Sequence, residues 1–573
     1  MKIGRFTYIC LLTAFSFGSS LLHLQGQSPF DPAYHSVALK FREQVNVFTD
    51  RSIYAVGETL RFRADYSVST DVPGGWSTVL YAELVTSAGM EVVQGKFPLS
   101  NGVSTGSLHI PSGILTGNYY LKCYTRWMRN AGPGCYSYTP LKIINPNRLE
   151  VANGNSGNGY QSRLTSLAYL QGEIGCSSDA SVYGKGKEVS LTIEGPCNAY
   201  VEHINCCVSV VPAGAIDTVS GQLLLSSGEL NKADFSIAYL PDVGHGPSLS
   251  GLVVHPDNSP AAFTGLHFSI LGRNPGFFAT VTDASGRFAV STPDLSGTQE
   301  FYVSTDSRDD AMHEVRIDQD FDASPFQLPA VKFSLSDWER KVATRMSLAM
   351  QFSRVYGIPV QPVRDSLVAG FNAFYGNRVQ RLQMDDYVNL PTLEEVFINL
   401  VPNVDVVRKK GKNSIRIHSD NRVIGIYSPL ILIDNISVFD HDAVLALPPE
   451  KIDRIDLINE VYLKGSMSFG GLIAIYSKDG DLAGIDLAPG SYFFDFQSFY
   501  EEPEAYVASP SPGDRIPDMR NTILWKEDLP VRKDRPGELK FTAPSTPGEY
   551  VILVRAVAPD GELWSASSLF SVE

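Results

Sequence analysis

The stretch VFTDRSIYAVGETLRFRADY, residues 47–66, decides the reading of the fold. Within it Leu60, Phe62, Ala64 and Tyr66 alternate with Arg61, Arg63 and Asp65, so one face of an extended strand turns inward and the other meets water. The same two-residue period continues on both sides, in VNVFTD before it and in STVLYAELVTS, GSLHIPS and GNYYLKCYTRW after it. Short alternating strands separated by turns predict one β-sandwich over residues 36–146.

Farther along, the pattern repeats with different partners. A linker composition, NRLEVANGNSGNG, covers 147–159. A second β-sandwich is expected over 160–245, with KEVSLTIEG, AYVEHINCCVSVV and FSIAYLPD as its strongest strands, and a third over 248–330. Helices are expected only in 334–380. There Ser336 and Glu339 form an S-x-x-E capping box, Trp338, Val342, Met346, Ala349 and Phe352 share a face, and RDSLVAGFNAFYG follows. Residues 386–484 read as a mixed α+β unit, and 491–573 as a C-terminal β-sandwich. The expected fold class is therefore mainly β, a multidomain array of macroglobulin-like or immunoglobulin-like β-sandwiches with a short helical insert and one α+β domain.

Composition agrees. A chain of 573 residues outgrows one core. Its 43% hydrophobic content fills several, and 48 glycines and 35 prolines supply the turns that short strands need. The formal charge of −15 excludes nucleic acid or an anionic lipid surface as the main partner. Residues 1–27 carry Lys2 and Arg5, then the apolar run 6–17, then small and polar residues to Gly26 and Gln27, the layout of a secretory signal peptide. No later stretch reaches the roughly 18 apolar residues of a membrane-spanning helix. The mature chain is expected to be exported, in the periplasm or associated with the outer membrane. Cys10 falls within the leader. Of the remaining Cys123, Cys135, Cys176, Cys197, Cys206 and Cys207, the first two would close a short loop between neighbouring strands as a disulfide, although sequence does not fix the pairing. No C-x-x-C pair is present, so no zinc site is implied.

Three family resemblances sharpen this reading. Residues 47–66 with LTGNYYLKCYTRWMRN, 115–130, resemble the second macroglobulin-type domain of alpha-2-macroglobulin-like envelope proteins, with Tyr54, Gly57 and Glu58 as the motif core. Gly251, Val253, Pro260, Thr282, Asp283, Gly286 and Phe288 resemble the carboxypeptidase regulatory-like domain, an accessory module without catalytic residues. In it Asp283 and Gly286 are expected to make a tight hairpin turn and Phe288 to return to the core. Residues 386–484 resemble the plug domain of TonB-dependent receptors, through Leu393, Glu394, Pro402, the strand 431–434, Leu447, Pro449, Ile452, Ile455, Gly470, Gly471 and Ile473. Asn403, His418 and Asn435 depart from that family's pattern. A receptor barrel needs about 22 strands of about ten residues, and fewer than about a hundred residues follow Gly484, so this chain is not expected to be a transporter by itself.

Catalytic patterns were weighed against plainer readings. Gly102, Ser104 and Gly106 match the G-x-S-x-G of serine hydrolases, but that elbow requires a strand running into a helix, and here the context is strand and turn. His441 between Asp440 and Asp442 lacks a predictable partner, so a loop histidine is expected. His313 and Glu314 begin a zinc-protease motif that fails at Ile317. Asp306, Asp309, Asp310, Asp318, Asp320 and Asp322 lack the calcium-loop glycine and glutamate, so they read as a solvated connector. No cysteine stands in the Cys-x-Glu-Gln of a reactive thioester. No catalytic, cofactor-binding or metal-binding residue is assigned, and no cofactor is implied. The expected function is that of a non-enzymatic envelope protein docking an outer-membrane β-barrel or a transport or secretion component. The alternatives are capture of peptide or glycan for a TonB-dependent transporter and, last, hydrolysis through Ser104.

Overall fold

The computed structural model describes residues 40–69, 76–152, 164–166, 170–196, 200–216, 223–225, 237–272, 274–306, 312–356, 373–376, 379–388, 390–409, 411–501 and 520–573. The expected signal peptide 1–27, most of the expected linker 147–159, Cys197, Asp309, Asp310 and the second helical pattern at 364–376 up to residue 372 lie outside the described residues.

The inward phase of 59–66 is as expected, but Arg63 of the opposite phase is only 2% exposed, because the second sandwich covers it. Strand Thr59–Val68 lies between Glu43–Thr49 and Val103–His109 in a three-stranded sheet. Opposite it, Val79–Thr86 pairs with Glu91–Pro98 and Gly117–Tyr124, and Gly117–Tyr124 with Ser137–Ile144. The short Ile53–Ala55 joins Ser137–Ile144 in parallel. Leu60, Phe62 and Ala64 meet Leu80, Leu84 and Leu121 in a shared core.

The second sandwich repeats this plan strand for strand. Gly175–Ser178 pairs with Glu188–Glu194, and Glu188–Glu194 with Gly537–Thr542. His203–Pro212 lies between Leu524–Arg532 and Gly548–Val557, which pairs with Leu563–Val572. The short Val182–Tyr183 again joins the last strand in parallel. The fifth to eighth strands thus come from the far end of the chain. Residues 213–523 are inserted between the fourth and fifth strands, where the first sandwich has only the connection 87–90. The separate sandwiches expected over 160–245 and 491–573 are corrected to one discontinuous sandwich. Alternation identifies the buried face of a strand, but it does not say which distant strand will pair with it.

A local motif marks the repeat. DRSIYAVG at 50–57 corresponds to DASVYGKG at 179–186. The Tyr54 hydroxyl donates to Asp50 Oδ1 at 2.7 Å, and the same carboxylate accepts the Arg61 N–H at 3.0 Å. The Tyr183 hydroxyl donates to Asp179 Oδ1 at 2.6 Å, which accepts the Ser190 N–H at 2.8 Å. Gly57 and Gly186 hold the left-handed φ of 81° and 70° that closes each turn.

The two sandwiches touch directly. Arg63 reaches the Asp528 carboxylate at 3.0 Å, Arg555 donates to the Thr49 carbonyl at 2.6 Å, and Phe48 packs with Cys207 and Leu563. Helix α1, Asp337–Tyr356, covers the seam. Its capping box forms as expected, with Ser336 N–H donating to Glu339 and Glu339 N–H to Ser336 Oγ. Val342 and Met346 enter a cluster with Ile53 and Ala55 of the first sandwich and Val551 and Leu553 of the second. Trp338, expected on that buried face, is 51% exposed at the helix start.

Within the insertion lie a third sandwich and the α+β unit. Ser248–Val254 pairs with Arg287–Ser291 and Glu314–Ile317, and the facing sheet runs Gly276–Val281, Gly265–Ile270, Thr298–Thr305, Tyr492–Gln497. The closing strand again arrives from beyond the expected boundary. Asp283 Oδ1 accepts the N–H groups of Ser285 and Arg287, Gly286 has φ 76°, and Phe288 is buried, the turn and core anchor read from the sequence. The α+β unit has a five-stranded sheet in the order Gln380–Gln383, Ile452–Ile458, Leu472–Ser477, Leu430–Ile433, Ile436–Ser437. It also has helices α2 (Leu393–Asn399) and α3 (His441–Leu445) and a hairpin of Val404–Lys409 with Lys412–Ile417. Asn403 and Asn435, two of the three departures noted in sequence, sit at φ 63° and 71°, where asparagine is the usual substitute for glycine.

Candidate functional site

Strand Gly265–Ile270 is buried along its whole length. Leu266, Phe268 and Ile270 fill the core of the third sandwich. His267 and Ser269 occupy the opposite phase, which would face water in an isolated sandwich. Here the α+β unit covers that face. Phe277 and Ala279 pack with Leu430, Leu432, Phe469 and Leu472, and the Ser466 N–H donates to the Ala279 carbonyl at 3.2 Å. Ser304 and Ser437 hydroxyls meet across the junction at 3.1 Å.

His267 is consequently 3% exposed among Phe277, Phe439 and Phe469, and both its ring nitrogens are buried without a hydrogen-bond partner. Burial pushes its pKa down to about 3, so the ring is neutral. Beside it opens a cavity of about 790 Å³, lined from the sandwich by His267 and Asp306 and from the α+β unit by strand Lys412–Ile417, the loop 418–429 and Phe439. Its size suits a small ligand. Ile424, Leu430, Ile431 and Phe469 form apolar wall, while the exposed Arg416 and Arg422 also line it. Among the described residues Asp306 is the only acidic side chain in the lining, and its Oδ1 accepts the Gly265 N–H at 2.9 Å.

The residues weighed for catalysis are not brought together. Ser104 lies within strand Val103–His109 opposite Ala64, 1% exposed, and its hydroxyl has no hydrogen-bond partner, so no base addresses it. Asp440 caps α3 through the Asp442 and Ala443 N–H groups, and His441 Nδ1 accepts the Ile415 N–H at 2.8 Å, which pins the hairpin to the helix. His313 lies against His255 in a tilted contact at 4.8 Å between ring centroids, and Glu314 pairs with Arg316. Among the described residues no group of three or more metal-ligating side chains converges.

The acidic connector is not the solvated segment expected. Asp320 pairs with the fully buried Lys96, whose ammonium also lies 4.0 Å over the Phe496 ring. Asp322 accepts from the Tyr136 hydroxyl and Asp318 from the Ser250 hydroxyl. Arg126 donates to the Ser248 carbonyl at 3.2 Å. Buried Lys96 and Arg126 of the first sandwich thus meet the connector and the third sandwich, each with a partner that offsets its desolvation. Cys123 and Cys135 are both free thiols. The strand register places Ser137 opposite Cys123, while Cys135 ends the turn Pro133–Cys135, so the expected bridge is not formed.

Sequence reasoning passed over His267, Arg416 and Arg422. A signal was present for the arginines, because RKKGKNSIRIHSDNR is a basic run in an acidic chain. Nothing local marks His267, which stands where alternation predicts an ordinary surface residue.

No protein-family model matches the chain, and no curated protein matches it. Among solved structures it is similar to Salmonella alpha-2-macroglobulin reacted with methylamine, at 10% identity and a TM-score of 0.23, over 93% of this chain and 40% of that one. A trypsin-activated alpha-2-macroglobulin from Escherichia coli gives 10% identity and 0.23 over 93% and 41%. Dimeric latent PorU from Porphyromonas gingivalis gives 10% and 0.15 over 48% and 33%. The chain spans about two fifths of the length of the macroglobulins it matches.

Proposed function

We propose that this protein is a non-enzymatic interaction protein of the cell envelope, exported to the periplasmic side of the outer membrane, where it docks an outer-membrane transport or secretion component. The paired sandwiches act as the frame, and the inserted α+β unit with the third sandwich acts as the presented surface. The observation that carries this reading is a set of exposed large apolar side chains on the α+β unit. Val388, Ile398, Val423, Ile426 and Leu463 are exposed there beside the arginines of the hairpin and loop. Val423 and Ile426 stand on the same turn as Arg422, and exposed apolar groups held together in this way mark interaction surfaces.

The test is proximity crosslinking of the full-length protein in intact cells, with membrane fractionation. Capture of an outer-membrane β-barrel protein, lost on Ile426→Asp with Val423→Asp, is expected. A protein recovered uncrosslinked from the soluble periplasm would count against docking. Ligand capture is the second reading, favoured by the cavity between the third sandwich and the α+β unit.

A further inference from the structure

From the cavity walls we infer that this cleft binds an amphiphilic anion, an apolar body carrying a carboxylate or phosphate. The inference rests on the cleft being a working surface, as in the second reading above.

Three independent features converge on that chemistry. The lining is mixed, with an apolar stretch of wall formed by Leu430, Ile431 and Phe469 among serines and histidines such as Ser414, His418 and Ser468. Such walls gain from covering an apolar body at about 25 cal/mol per Å². The charged lining is cationic. Arg416 and Arg422 are exposed at the cavity, neither makes an ion pair among the described residues, and the one acidic lining residue already accepts a backbone N–H. In a chain of net charge −15 this is a local reversal of sign, and a guanidinium pair is suited to forked recognition of an oxyanion.

The third feature is His267. A buried polar group without a partner is costly and uncommon in folded proteins. This one lies in the cavity lining, more than nine-tenths buried, with both ring nitrogens unpaired. A neutral imidazole offers one donor and one acceptor. A hydroxyl or carbonyl on the apolar body of a ligand that enters past Phe439 and Phe469 can supply the missing hydrogen bond while its acid stays with the arginines. The cleft is also composite, since His267 comes from the sandwich and the arginines from the α+β unit, so occupancy would tie the two together.

The experiment is isothermal titration calorimetry on the purified full-length chain with sodium laurate, below its micelle concentration, against dodecyltrimethylammonium of equal chain length. Laurate is expected to bind saturably at one site and the cation at least ten-fold more weakly. Arg416→Gln with Arg422→Gln is expected to weaken laurate at least ten-fold. Both side chains are exposed, so an unchanged melting temperature establishes that the fold persists. Arg340→Gln, on the surface of α1, serves as the control for loss of charge and is expected to bind as the parent does. Equal binding of laurate and the cation, or a double variant that binds laurate as tightly as the parent, would overturn the assignment. So would equal weakening by Arg340→Gln. Failure here with crosslinking to an outer-membrane protein intact removes the ligand and leaves docking standing. Laurate binding without crosslinking supports the ligand and removes docking.

Discussion

Replacing His267 by leucine should change how stability depends on pH. In the unfolded chain the imidazole titrates near 6.5, and in the fold burial among Phe277, Phe439 and Phe469 holds it down at about 3. Below about pH 6.5 the unfolded state therefore binds a proton that the folded state refuses. Stability from this residue is fully present above pH 6.5 and is lost as pH falls toward 3, at about 1.4 kcal/mol per unit. By pH 5 the loss is about 2 kcal/mol. Glu43 works in the opposite sense. Burial raises its carboxyl to about 7, so its contribution is present below about 4.5 and is lost as pH rises through 7. The difference between parent and variant cancels Glu43 and isolates the histidine. Urea unfolding of both proteins at pH 8 and pH 5, followed by intrinsic fluorescence, should show the variant gaining about 2 kcal/mol on the parent between the two conditions. Parallel pH dependence in the two proteins would refute the reasoning, because it would mean that the imidazole is solvated or paired in the fold.

The repeat can be tested by Tyr54→Phe and Tyr183→Phe. Asp50 and Arg51 are buried around the first hydroxyl, whereas the second network is open to water. Thermal melts should therefore show a loss of about 1–3 kcal/mol for Tyr54→Phe and a smaller one for Tyr183→Phe. Deleting 213–523 and joining Pro212 to Leu524 through a copy of the connection 87–90 should leave a soluble protein with the far-ultraviolet circular dichroism of antiparallel sheet. An aggregated product would argue that the insertion is needed to close the second sandwich. Asn403→Gly should leave the melting temperature within about 1 °C, while Asn403→Val at φ 63° should cost about 1–2 kcal/mol in the same melts. Cys123 and Cys207 are fully buried, and burial pushes both thiols up, so iodoacetamide at pH 8 should label neither in the folded chain and both in urea, read by mass spectrometry.

Much of the local structure was legible because its causes are local. Leu60, Phe62 and Ala64 announced a one-sided strand, Ser336 and Glu339 the start of α1, and Asp283 with Gly286 a turn, since each depends on residues within a few positions. Even the departures at Asn403 and Asn435 have a local reason in their left-handed backbone. The candidate site was not legible in this way. Arg416 and Arg422 stand in a basic run that by itself gives no location, and His267 stands in the surface phase of its strand until the α+β unit covers the sheet.

By itself, then, the sequence determined the strand character of the chain, the buried phase of each strand, the caps and the turns. Only the tertiary structure decided that His203–Pro212 pairs with Leu524–Arg532, that Tyr492–Gln497 closes the third sandwich, and that the insertion presents a cleft between two units. The physical reason is that an unpaired strand edge offers the same N–H and C=O groups to any partner. Selection among distant partners rests on the summed packing of whole faces, a quantity that no short window of sequence contains.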